Sequence, residues 1–171
     1  YRRRWRGRCR RRTIRRASES GREVVRIETM THLAIERFGQ KAEQELRCTD
    51  IETPDGTLLG VECEMQQGPT PLRMTGRVVG DQMRIEIVTQ GQKQEASIPW
   101  SLDYGGFSAP ETSLLRNPLK PGQRRVVRHL AIDNQVATTE MAATQEEPVK
   151  LLAGRFRLLR IDSVNRLASG Q

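Results

Sequence analysis

Residues 25–36, VRIETMTHLAIE, alternate apolar or β-branched side chains with charged or polar ones, and this stretch decides the fold class. The members of the first set are Val25, Ile27, Thr29, Thr31, Leu33 and Ile35. Successive side chains of a β-strand point to opposite faces, so a period of two predicts a strand with one buried face. We therefore predict a strand here.

The same alternation recurs along the chain between Gly-, Pro- and Asp-containing turns. The predicted strands cover residues 25–35, 42–48, 58–65, 72–79, 83–87, 95–100, 124–132, 135–143, 149–152 and 155–161. One short helix is predicted at 111–116, where Ser108, Pro110 and Glu111 form a typical helix start. We predict a mostly all-β protein, a single strongly curved antiparallel sheet of about eight to ten strands with one short helix.

The first sixteen residues, YRRRWRGRCRRRTIRR, differ sharply from the rest of the chain. They contain ten arginines and no acidic residue, whereas the whole chain has 29 Lys and Arg against 21 Asp and Glu. The net charge of +8 therefore comes from this segment, and residues 17–171 are mildly acidic. Because like charges repel and little here can be buried, we predict a disordered basic leader at 1–21. A β domain at 22–168 and a short tail at 169–171 would follow.

The leader has three interpretations. It is an arm that contacts nucleic-acid phosphates, a solvated tail without a partner, or a segment that comes from a misplaced start or a truncated protein. Phosphate contacts of the first kind would be strongly salt-dependent. The candidate polyanion contacts are Arg2, Arg3, Arg4, Arg10, Arg11 and Arg12.

The composition limits the compartment and the class of protein. With 36% hydrophobic residues, the sequence has no window close to the ~20 apolar residues that a spanning helix needs. No apolar signal-peptide core lies near residue 1. Three cysteines are too few for a disulfide-dense scaffold. We therefore expect no membrane span, and the compartment stays open at this point.

Catalytic and metal-binding motifs are missing from the sequence. The histidines are His32 and His129, and we place both on strand surfaces. A nucleophile set of Cys48 or Cys63 with His129 and Asp133 is conceivable from composition alone, but no motif orders these residues. No CxxC, HxH, HExxH or phosphate-binding glycine loop occurs. We expect no catalytic residue, no metal and no cofactor.

Cys48 and Cys63 are expected to face each other across a hairpin. Thr53-Pro54-Asp55-Gly56 is a strong turn signal, because proline presets φ and glycine accepts a positive φ. The hairpin register that follows places Ile51 opposite Gly60 and Cys48 opposite Cys63. The two cysteines are then either adjacent buried thiols or a cross-strand disulfide.

An aromatic group surrounds the Gly105-Gly106 pair. Trp100, Tyr104 and Phe107 lie within eight residues of sequence. They form either a loop held against the core by its aromatic side chains or a small surface patch that binds a peptide or a partner domain.

Five turn-and-strand segments share their pattern with a known family. They are TPDGTLL at 53–59, GRVVG at 76–80, IPW at 98–100, NPLKPG at 117–122 and AGRFRLLRI at 153–161. Over residues 23–167 the chain resembles the β-rich, non-catalytic N-terminal region of bacterial transglutaminase-like proteins. That region is similar to exported lipoprotein-carrier-like curved β-sheet domains. The resemblance implies a periplasmic or cell-envelope location, and it implies a catalytic Cys/His/Asp domain downstream of this chain.

The function expected from these observations is non-catalytic. The resemblance implies an accessory β domain that binds a downstream catalytic domain or a substrate, using a concave face or a sheet edge. A carrier or binding module for an apolar ligand in the curve of the sheet is the first alternative. Nucleic-acid contact through the arginine-rich leader is the second.

Overall fold

The computed structural model describes residues 4–37, 40–66 and 70–167, and they form ten strands and one helix. The chain divides into two compact units, Tyr1–Phe107 and Ser108–Gln171. The strands are β1 Arg4–Glu19, β2 Arg22–Arg37, β3 Gln40–Glu52, β4 Leu58–Gln66, β5 Leu72–Val79, β6 Gln82–Thr89, β7 Gln92–Pro99, β8 Arg124–Leu130, β9 Val136–Leu151 and β10 Gly154–Leu167. The helix is α1 Ala109–Arg116.

The mostly all-β prediction is confirmed, and every strand pair is antiparallel. The strands form two sheets, where one was expected. β1 to β7 make a seven-stranded sheet in chain order, and the other sheet has the order β10-β9-β8. The break follows from the sequence, since residues 100–123 hold the helix and several turns, and so give the first sheet no eighth strand.

The first unit is a meander of seven antiparallel strands in chain order. Its most deeply buried apolar side chains come from β2, β4 and β6. They are Val24, Ile27, Leu58, Val61, Met83 and Ile85. The cross-strand register places Ile27, Val61 and Ile85 on one face of the sheet, and Val24 lies on the other. Burial of these side chains provides the main stabilisation of the unit.

The arginine-rich segment does not follow the expectation of a disordered leader. Residues Arg4–Glu19 form β1, which pairs with β2 from Arg4 opposite Glu36 to Glu19 opposite Arg22. Oppositely charged side chains meet across this hairpin, as in the 3.0 Å contact between Arg16 Nη1 and Glu23 Oε1. A long neighbouring strand supplies the backbone hydrogen bonds, which a count of apolar residues alone does not reveal.

The hairpin of β3 and β4 has the predicted register, with Ile51 opposite Gly60 and Cys48 opposite Cys63. Its turn is closed by a hydrogen bond from the Gly56 amide to the Thr53 carbonyl, and Gly56 has a φ of 98°. In this structure a disulfide bond joins Cys48 and Cys63.

The second unit differs from expectation in β9. Two strands were predicted, at 135–143 and 149–152, but Val136–Leu151 is one strand that includes Pro148. β8 pairs only with the residues of β9 from Val136 to Ala142, so Pro148 lies where β9 has β10 alone as a neighbour. Proline is tolerated there because its missing amide hydrogen faces away from the ladder.

The helix prediction is confirmed, with a start two residues earlier than expected. α1 begins at Ala109 because Pro110 suits the first turn, and Glu111 lies in that turn as expected. Ser108 occupies the position before the helix, but its side chain makes no capping hydrogen bond. The Thr112 amide and hydroxyl instead donate to the Ser108 carbonyl at 2.9 and 3.0 Å.

Candidate anion-binding site

A concave pocket of about 730 Å³ lies on one face of the last three strands of the seven-stranded sheet. We call this surface the β5–β7 face. Its side chains are those of Thr75, Arg77, Arg84, Glu86, Glu95 and Ser97, which lie on the same face because their positions alternate along each strand. The opposite face of these strands carries buried Met74, Met83 and Ile85.

The central feature of the β5–β7 face is a pair of arginines. Arg77 on β5 is directly opposite Arg84 on β6, and both are exposed. The pairing is set by the two-residue turn Gly80-Asp81, in which Gly80 has a φ of 62°. Directly opposed like charges destabilise an antiparallel pair.

The other cations of β5 to β7, Arg73 and Lys93, are paired with carboxylates. Arg73 Nε lies 3.0 Å from Glu64 Oε2 at one end of the face. Lys93 Nζ lies 2.8 Å from Glu86 and 2.9 Å from Glu95. The hydrogen bonds that Lys93 donates to Glu86 and Glu95 raise the pKa of Lys93 above its ordinary value and lower the pKa of Glu95.

Glu62, a carboxylate on the neighbouring strand β4, is also engaged. Glu62 on β4 lies opposite Thr75 and accepts a 2.6 Å hydrogen bond from Arg26, which also contacts Glu19 at 2.7 Å. As a result, Arg77 and Arg84 form no ion pair with any carboxylate in residues 4–37, 40–66 and 70–167.

Arg77 also lines a second, smaller pocket of about 330 Å³. Arg22 and Gly60 contribute to its lining. Gly60 is opposite Arg77, and a side chain at this position would collide with the Gly76 carbonyl oxygen. The absence of a side chain at Gly60, which is buried, thus permits this close approach of the neighbouring strand.

The structure distributes the aromatic candidates between the interior and the surface. Trp100 is buried, with 6% of its surface exposed, and it contacts Tyr104 edge-to-face at 5.4 Å between ring centroids. Phe107 is half-buried, and its backbone amide donates to Asp50 Oδ1 at 2.9 Å. Because Trp100 is inside, only parts of Tyr104 and Phe107 are available to a partner.

The cysteines and histidines do not form a nucleophile set in this structure. Cys48 and Cys63 are bonded to each other, so neither carries a thiol. His129 is buried, where a strand surface was expected. Its Nε2 lies 2.9 Å from Thr139 Oγ1, and its Nδ1 lies 3.1 Å from the Leu130 carbonyl oxygen. Burial lowers the pKa of His129, which favours a neutral, structural ring.

Metal ligands are not assembled in the described part of the chain, which holds no group of three or more His, Cys, Asp or Glu side chains that could bind an ion. No helix in residues 4–37, 40–66 or 70–167 is long and apolar enough to cross a membrane. Asp133, the third residue of the nucleophile set considered from the sequence, follows β8. It takes part in neither hydrogen bond of the His129 ring.

The polyanion candidates fall on β1 or outside the described residues. Arg2 and Arg3 are outside, and Arg4 begins β1. Arg10 and Arg11 are exposed on this strand, whereas Arg12 is half-buried. The arginines therefore occupy an edge strand of the sheet, which is a different setting from a free arm.

Sequence reasoning missed Arg77 and Arg84, although a signal for them exists. A two-residue turn at Gly80-Asp81 forces Val79 to pair with Gln82, and counting outward brings Arg77 opposite Arg84. The turn alone shows that two cations share one face. Their lack of carboxylate partners depends on side-chain positions in three further strands, which the sequence does not give.

Comparison with known proteins supports the fold. No protein-family model and no curated protein matches the chain. A solved structure, the beta-barrel-like protein of domain of unknown function DUF1849 from Brucella abortus, matches with a TM-score of 0.55 and 7% sequence identity. The match covers 94% of this chain and 71% of that protein. At this identity the likeness concerns the fold alone.

The resemblance to transglutaminase-like proteins is therefore wrong. The structural match is to a protein with a β-barrel-like fold, and no family model links the chain to transglutaminases. Turn-and-strand segments of this kind recur in unrelated antiparallel sheets because tight hairpins favour the same turn residues, so these segments misidentified the family. The implied downstream catalytic domain has no further basis.

Proposed function

We propose that this chain is a non-catalytic binding domain that holds an anionic ligand on the β5–β7 face. The observation that carries the proposal is the direct opposition of Arg77 and Arg84, two exposed arginines that have no carboxylate partner in the described residues. A ligand that carries carboxylate or phosphate oxygens would relieve their mutual repulsion.

The chemistry of the two arginines suits such a ligand. Each guanidinium presents five N–H donors in a planar fork that matches a carboxylate or phosphate group with two parallel hydrogen bonds. Thr75 lines the pocket beside Arg77, and the Ser97 hydroxyl beside Arg84 donates to Gln82 at 3.1 Å. These hydroxyls add neutral polar contacts around the charged centre.

The shape of the pocket limits the ligand further. It is an open concavity of about 730 Å³, in the size range of small-molecule sites. Val79 and Ala96 supply apolar surface at its wall. A ligand with one anionic group and a short apolar portion would contact both kinds of surface. A purely apolar ligand has less support, because it would desolvate two guanidinium groups without compensation.

The residues that line the pocket on the β5–β7 face support the non-catalytic part of the proposal. The acidic side chains in the pocket, Glu86 and Glu95, are both bound to Lys93, and the lining residues include no His, Cys or Asp. The described lining therefore offers no free general base that could activate the Thr75 or Ser97 hydroxyl.

Isothermal titration calorimetry with inorganic phosphate and with citrate, at constant ionic strength, tests the proposal. We expect binding to the unchanged chain and a loss of at least about tenfold in affinity for Arg77→Gln/Arg84→Gln. The matched control is Arg47→Gln/Arg73→Gln, which removes two exposed arginines that already have carboxylate partners. Equal affinities of the two double variants would refute the site.

A further inference from the structure

The hairpin of β9 and β10 extends beyond the three-stranded part of its sheet. β8 pairs with β9 only as far as Ala142, so the strands from Glu146 to Leu159 form a two-stranded ribbon. We call residues 150–157, KLLAGRFR, the hairpin tip. The backbone groups that face the partner strand pair within the hairpin, as at Gly154 opposite Leu151 and Phe156 opposite Val149.

One face of the ribbon is apolar and exposed. Val149, Leu151, Phe156 and Leu158 share this face, since they alternate along paired strands, and Glu147 lies at its far end opposite Leu158. Leu151, Phe156 and Leu158 are between 42% and 48% exposed, and Leu152 in the turn is fully exposed. Large apolar side chains that cluster at a protruding turn point to an apolar environment for that turn.

The opposite face of the ribbon carries two cations next to the turn. Lys150 lies directly opposite Arg155, which is a second like-charge pair across two strands. Neither side chain forms an ion pair with a carboxylate in the described part of the chain. Arg157, the next cation along, is already held 3.4 Å from Glu146. The hairpin tip thus combines exposed leucines with two uncompensated positive charges.

We infer that the hairpin tip docks on the surface of an anionic phospholipid bilayer. Leu151, Leu152 and Phe156 would enter the boundary between headgroups and acyl chains, and Lys150 and Arg155 would contact lipid phosphates. The cross-strand pairing of the hairpin satisfies the backbone groups that face the partner strand, and an interfacial position leaves the outward-facing groups in contact with water and headgroups. A protein partner fits less well, because four side chains at a tip cover far less than the ~800 Å² per partner of a stable interface.

Sedimentation of the full chain with vesicles tests this inference. Vesicles of phosphatidylcholine with phosphatidylglycerol are compared with vesicles of phosphatidylcholine alone. We expect binding to the anionic vesicles, and a decrease of at least about tenfold for Leu151→Ser/Leu152→Ser. Lys150→Gln/Arg155→Gln should weaken binding to anionic vesicles by roughly five-fold per cation removed.

The control variant is Leu102→Ser/Leu115→Ser, which removes two exposed leucines elsewhere and should bind as the unchanged chain does. The arginines of β1 are the same in all variants, so any binding that they supply remains. Undiminished binding of the tip variant would overturn the inference, and so would the absence of binding by the unchanged chain. Concentration-dependent dimers in sedimentation velocity that the tip variant abolishes would assign the surface to a second copy instead, and would likewise overturn it.

Discussion

Arg77 and Arg84 face each other directly across β5 and β6, and neither forms an ion pair with a carboxylate in the described residues. Every other cation on the β5–β7 face has one, as Arg73 with Glu64 and Lys93 with Glu86 show. An arrangement that stores repulsion between two guanidinium groups at the centre of a pocket is typical of an anion-binding site.

Replacing one arginine of this pair should stabilise the protein and weaken ligand binding at the same time. Arg77→Glu converts the opposed pair into an attractive one, and we expect the free energy of unfolding to rise by up to about 1 kcal/mol. Urea denaturation at low salt measures this change. Arg73→Glu is the control, because it places like charges beside Glu64 and should lower stability. If Arg77→Glu is less stable than the unchanged chain, the two arginines do not repel each other.

The disulfide should account for a measurable share of stability. Cys48 and Cys63 are separated by 15 residues, and closing a loop of about that length is associated with roughly 3 kcal/mol of stabilisation. We expect a reducing agent to shift the urea midpoint downward. Thiol titration of the unfolded protein should find one free thiol, from Cys9, before reduction and three afterwards. Three thiols before reduction would show that the bond is absent.

The stability of the fold should fall in mild acid because of His129. Burial lowers the pKa of this ring below its unfolded value of 6.5, so the unfolded chain binds the proton more readily. The contribution of His129 to the free energy of unfolding should therefore be fully present above pH 6.5 and should be lost as the pH falls below it. Urea titrations on both sides of this value should show the slope in the unchanged chain and in His32→Gln. The slope should be smaller in His129→Gln. A slope of the same size in His129→Gln would assign it to other groups.

A side chain at position 106 should destabilise the protein. A Cβ atom at this position would overlap the carboxylate of Asp50, which is fully buried and accepts the Phe107 amide. We expect Gly106→Ala to cost about 1–3 kcal/mol, the usual effect of overpacking. Gly122→Ala is the comparison, because its added Cβ meets no neighbour and its cost comes only from a φ of 82°. Thermal unfolding of both variants measures the difference; a cost at position 106 no greater than at position 122 would contradict the steric argument.

The sequence predicts strands well where short turns fix them. The turn at Thr53 to Gly56 gave the pairing of Cys48 with Cys63, because hairpin register follows from turn length. It predicts poorly where pairing depends on distant partners. Arginines conceal the strand character of β1, whose order comes from the long edge of β2. Pro148 suggested an interruption that β9 avoids, since β8 ends before it.

The candidate site was beyond sequence reasoning for a related reason. Arg77 and Arg84 are opposite each other because of one turn. They lack carboxylate partners because Arg26, Arg73 and Lys93 already bind the nearby carboxylates. One of these ion pairs joins strands that are not neighbours, since Arg26 on β2 reaches Glu62 on β4, and the others lie within a strand or between neighbouring strands. Only the folded sheet shows which cations remain without a carboxylate.

The most direct test of the central claim is an NMR titration of the arginine side-chain Nε–Hε signals with inorganic phosphate at constant ionic strength. We predict that the signals of Arg77 and Arg84 shift together and saturate, while the signal of Arg73, which is held by Glu64, stays in place. Uniform, non-saturating shifts of all exposed arginines, including those of β1, would contradict a site on the β5–β7 face.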